Sequence, residues 1–93
     1  MSANMMPASL SPGPKVRITL TAAGQNHVLR NGLGPRLAVL MEHAPRIHTA
    51  LASGDRVALS ESATQDLYVL RRRVVVETRD VVLEIILDFM PIG

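Results

Sequence analysis

The chain contains no cysteine and no tryptophan, and its 93 residues include one tyrosine and one phenylalanine. The absence of cysteine excludes disulfides, thiolate zinc sites, iron–sulfur clusters and a cysteine nucleophile. Tyr68 and Phe89 alone do not make the stacking platforms on which single-stranded nucleic acids usually bind. No apolar run reaches the roughly 18 residues that a membrane-spanning helix needs, so no membrane partner is expected. Lysine is almost absent too, with arginine supplying nine of the ten basic residues. Together with abundant alanine and valine, that bias fits a GC-rich bacterial genome.

Hydrophobic residues make up 47% of the chain and charged residues 19%, with a net charge of +2. This is the composition of a globular domain rather than a disordered one, and the length allows a single domain. The high isoelectric point is a weak pointer to a polyanion, because it reflects two surplus charges spread unevenly. Residues 1–54 set Lys15, Arg17, Arg30, Arg36 and Arg46 against Glu42 alone, whereas residues 55–93 carry more acids than arginines. Residues 1–14 (MSANMMPASLSPGP) are rich in proline and methionine and lack charge. They show neither the basic segment nor the apolar core of a secretory signal, and they read as a flexible leader to a domain over 15–93. A cytoplasmic protein is expected.

Lys15 to Ala22 alternates, with Val16, Ile18, Leu20 and Ala22 on one face and Lys15, Arg17, Thr19 and Thr21 on the other. That period of two predicts a strand with one solvated face. Ala23–Asn26 reads as a turn, and His27–Arg30 as a short returning strand. Asn31-Gly32-Leu33-Gly34-Pro35 breaks the chain and sets Pro35 at a helix start. Leu37, Leu40, Met41, Ala44, Ile47 and Leu51 then recur in steps of three and four, one face of a helix. Pro45 either kinks that helix or splits it, and Gly54 suits the left-handed position that ends one.

Asp55–Leu59 reads as a strand and Ser60–Gln65 as a polar loop. Leu67–Thr78 and Val81–Met90 read as the two strands of a long hairpin around Arg79-Asp80. That register opposes Val76 to Leu83, Val74 to Ile85 and Leu70 to Phe89. On the other face it opposes Arg71 to Asp88 and leaves Arg73 diagonal to Glu84 and Asp88. Arg-Asp is a poor two-residue turn, so a bulge or a longer loop would shift the pairing. Val81–Met90 would also form a short apolar helix, but its length and β-branched content favour a strand.

Arg71, Arg72 and Arg73 are the most prominent candidate site, for phosphate or for a partner protein. On a strand Arg71 and Arg73 share a face and Arg72 takes the other, where it would lie at a rim or meet a carboxylate from another chain. Gly32-Leu33-Gly34 lacks the further residues of a dinucleotide or P-loop motif, and Pro35 removes an amide that an anion site would use. His43 and His48 are five apart and do not form a helical metal pair; no metal and no cofactor is expected. Ser60, Ser62 and the histidines show no nucleophile motif, and Glu84 and Asp88 would stand about 13 Å apart on a strand, too far to share a proton. The protein is therefore not expected to be an enzyme.

The expected fold is α+β: one kinked helix on an antiparallel sheet of four to five strands, in the order β-(β)-α-β-β-β. The core should combine the helix stripe with Leu83, Ile85, Leu87 and Phe89. A long hairpin with exposed edges invites pairing with another chain. The expected function is thus a small protein-interaction module that self-associates, as a homodimer or other homo-oligomer, through a sheet edge or the apolar hairpin face. The alternative is a nucleic-acid-binding module using the basic N-terminal half and the Arg71–Arg73 strand.

Overall fold

A computed structural model describes residues 15–91; the leader expected over 1–14 lies outside them. Strand β1 spans Lys15–Leu20, helix α1 Ala22–Arg30 and helix α2 Gly34–Ile47. A short β2 (Arg56–Val57) follows, then β3 (Leu67–Val76) and β4 (Val81–Asp88). Single 3-10 turns occupy His48–Ala50 and Ala63–Gln65. The α+β class holds, but the sheet is mixed rather than antiparallel, with strand order β1-β4-β3-β2. β1 runs parallel to β4, while β3 is antiparallel to both β4 and β2.

Two helices replace the single kinked one because the segment expected to turn and return as a strand is α1. Thr21 caps it, its hydroxyl accepting from the Gly24 N–H at 3.1 Å. The face that α1 buries is made of Gly24, His27 and Val28, spaced three and four apart. A glycine and a histidine on that face hide its helical period from a hydrophobicity reading. Gly24 lets α1 approach β4 closely: a Cβ there would lie 3.2 Å from the Leu87 carbonyl oxygen. α2 begins with proline in its first turn, as expected, and contains Pro45 yet continues to Ile47. Pro45 therefore costs α2 one internal bond without splitting it.

The core lies between the helices and one face of the sheet. Leu67, Val69, Ile85 and Leu87 are almost wholly buried, packed with Ile18, Val28, Leu37, Ala44, Leu51 and Val57. Leu83 and Phe89 are half-buried against this cluster. Met41 and Ile47 of the expected helix stripe are exposed.

The hairpin turns one residue earlier than expected. Val76 faces Val81, Val74 faces Leu83 and Arg73 faces Glu84. The Glu77 N–H donates to the Asp80 carbonyl at 2.8 Å, so Thr78 and Arg79 form the tip. A bulge between Val69 and Arg71 then shifts the ladder again, and the expected Leu70–Phe89 and Arg71–Asp88 pairs do not form. The observed register sets Arg73 directly opposite Glu84 instead of diagonal to it.

Candidate interaction surface

β4 lies between β1 and β3, so both its edges are paired, and its side chains are mostly buried on both faces. The open edge of the hairpin belongs to β3. The short β2 and the residues before it cover the start of β3: the Val69 N–H donates to the Asp55 carbonyl, and the Gly54 N–H to the Val69 carbonyl, both at 2.8 Å. Past the bulge, no strand among the described residues lies beside Arg71–Val76 on that side.

The bond between Glu77 and Asp80 fixes which backbone groups face that edge. Antiparallel ladders alternate, so Arg71, Arg73 and Val75 point their N–H and C=O at β4, and Arg72, Val74 and Val76 point theirs away from it. Side chains on the same residues are exposed as well. Val74 is 64% exposed and Val76 is 77%, and Val81, opposite Val76, is 60%. These three valines form an apolar strip on the core-side face, beyond the reach of the helices.

The opposite face is polar and tied together across β4. The Arg73 Nε donates to Glu84 at 2.5 Å, and the Thr19 hydroxyl donates to the other Glu84 oxygen at 3.0 Å. The hydrogen bond from Arg73, then that from Thr19, holds the Glu84 carboxyl below its ordinary value despite burial that works the other way. Thr21 and Tyr68 both donate their hydroxyls to Asp88, and the Thr21 bond is the main reason its carboxyl also titrates low. The bond to Asp88 in turn raises the Tyr68 phenol. At the hairpin tip, Lys15 pairs with Asp80 and Arg17 with Glu77, each at 2.7 Å, reaching from β1 over β4. The bond to Glu77 raises Arg17 further above its already high value.

The three arginines are not one site. Arg73 is engaged by Glu84, whereas Arg71 lies opposite Ile86 and Arg72 opposite Ile85, on opposite faces. Among the described residues neither Arg71 nor Arg72 forms a salt bridge. The histidines are separate too. His43 contacts Arg46, while His27 stacks on Phe89 with ring centroids 3.7 Å apart. The His27 Nε2 donates to the Gln65 carbonyl at 2.8 Å, and its Nδ1 accepts from Asn31 at 3.2 Å. Among the described residues no group of three or more His, Asp or Glu side chains could hold a metal ion. No helix among them is long and apolar enough to cross a membrane.

Ser62 is bonded to Thr64 and Ser60 to the Ser62 N–H, so neither serine contacts a histidine. A cleft of about 390 Å³ lined by Gly54, Arg56, Asp66, Tyr68, Met90 and Pro91 holds one buried carboxylate oxygen of Asp66 that lacks a partner. Arg56, 3.6 Å from the other Asp66 oxygen, is the only cation lining that cleft among the described residues. Thr19, Thr21, Tyr68 and Glu77, which lock the polar face, were not singled out by sequence; only the opposed charges of the hairpin hinted at them. None of the protein-family models, curated proteins or solved structures compared with this chain matches it.

Proposed function

We propose that the protein is a protein-interaction module that self-associates by adding a strand to the open edge of β3. The observation that carries this reading is the coincidence, at Arg72, Val74 and Val76, of outward backbone groups with exposed side chains, two of them valines. An added strand would satisfy those backbone groups and cover the valine strip in a single step. No proline protects Arg71–Val76; Arg72 puts a single charge on its core-side face, and the bulge marks its start. The reading favours a protein strand over a polyanion, because Arg71 and Arg72 point to opposite faces and Arg73 is already neutralised by Glu84.

Proline substitution separates the edge from the fold. Val74→Pro removes a donor that faces solvent and leaves the bonds to β4 intact, whereas Val75→Pro removes a ladder bond. Sedimentation velocity across a concentration series should show wild-type self-association that Val74→Pro abolishes while its melting temperature stays near wild type. A monomeric wild type, or association unchanged in Val74→Pro, would overturn the proposal.

A further inference from the structure

We infer that the occupant of the β3 edge is a second copy of this chain, paired antiparallel about a two-fold axis at Val74. The inference rests on the strand-addition reading and specifies its register. The free edge is bounded by the bulge after Val69 and by the hairpin tip after Glu77, so it runs from Arg71 to Glu77. Val74 is the midpoint of that stretch. A two-fold axis there is the one placement that uses the whole free edge of both copies.

Three further features select the same register. Residues opposed across an antiparallel ladder share a face, so even-numbered residues must meet even-numbered ones. With the axis at Val74, Arg72 faces the partner's Val76 and Val74 faces the partner's Val74, so every outward backbone group is paired. On the polar face, Arg71 faces the partner's Glu77. Arg71 forms no salt bridge among the described residues, and Glu77, although bound to Arg17, keeps a side chain that is 43% exposed. The carboxylate would then bridge two arginines, one from each copy.

Neighbouring registers are worse. Moving the axis to Arg73 opposes that arginine to its own copy, a like-charge contact. Moving it to Val75 sets Arg72 against Thr78 in the turn and Arg71 against Arg79, leaving outward groups of Arg72 unpaired. Only the Val74 axis joins charge complementarity to full use of the edge.

The chain lacks cysteine, so single-cysteine variants report the register cleanly. Opposed residues of a hydrogen-bonded pair have Cα atoms about 5.5 Å apart, within the span of a disulfide. Mild oxidation should therefore cross-link Val74→Cys rapidly. Val75→Cys, offset diagonally from its copy, should cross-link at least about tenfold more slowly. In sedimentation, Arg71→Glu should weaken the dimer roughly tenfold, and adding Glu77→Arg with Arg17→Glu, which keeps the pair within each chain, should restore it. Faster cross-linking of Val75→Cys, equal rates, or no rescue by the combined reversal would overturn the register. If Val74→Pro still abolished association, strand addition would survive that result. If Val74→Pro had no effect and neither cysteine cross-linked, both readings would fall together.

Discussion

Replacing Glu84 with alanine removes the central contact of the polar face, and its cost can be worked from the geometry. Glu84 is 7% exposed on a strand paired at both edges, and its carboxylate accepts from Arg73 and from Thr19. A hydrogen bond to a charged acceptor contributes about 1.5–3 kcal/mol when buried. The Arg73 side chain is 62% exposed, however, so its share is screened toward the 0.2–1 kcal/mol of a surface pair. Freed Arg73 rehydrates, whereas the half-buried Thr19 hydroxyl loses its acceptor. The expected cost of Glu84→Ala at pH 7 is about 2 kcal/mol, or roughly 10 °C in melting temperature for a domain this size. Glu84→Leu, which keeps volume and removes the desolvated charge, should cost less than alanine.

The pH dependence has a definite sign. The folded carboxyl titrates below its ordinary value of 4.5. Its contribution is therefore present above that value and is lost as pH falls through the lower folded one. Urea unfolding at fixed protein concentration should show the gap between wild type and Glu84→Ala narrowing in acid. Indistinguishable stabilities at pH 7, or a gap unchanged through the acid range, would refute the assignment.

Gly24→Ala should destabilise the fold by about 1 kcal/mol even though alanine is the better helix former. The new Cβ would crowd the Leu87 carbonyl, which is also held by a 2.9 Å bond from the Thr21 N–H; denaturant melts check it, and stabilisation would contradict the close approach. The uncharged His27 ring should be the Nε2–H tautomer, because Nε2 faces a carbonyl and Nδ1 faces the Asn31 amide donor. Long-range nitrogen–proton spectra distinguish the two tautomers. His27→Ala, which loses both bonds and the Phe89 stack, should cost about 2–3 kcal/mol in the same melts.

The local patterns that sequence carries well were legible here. Alternation marked β1 and the hairpin strands, and the spacing of Leu37 and Ala44 marked the buried side of α2. What failed has physical causes. α1 buries a glycine and a histidine, so no hydrophobic period announces it. Strand direction depends on which distant segment pairs with β1, and nothing within Lys15–Leu20 encodes that. The apolar run Val81–Asp88 was visible, but its burial on both faces means a central strand and not a surface awaiting a partner. The exposed valines of the hairpin lie at its outer end, Val74 and Val76 on β3 and Val81 at the start of β4. Exposed hairpin edges were expected from the sequence, but which strand carries the open one was not, because that depends on β2 being two residues long. The arginine run lies on β3, and only the structure distinguishes Arg73, already paired, from Arg71.

Amide hydrogen exchange along β3 tests the strand-addition claim most directly. At low protein concentration the amides of Arg72, Val74 and Val76 should exchange rapidly, while those of Arg71, Arg73 and Val75 are protected by β4. Raising the concentration should slow the first set in proportion to the dimer formed and leave the second unchanged. Rapid exchange of Arg72, Val74 and Val76 that is independent of concentration, in a solution shown to contain dimer, would contradict the account.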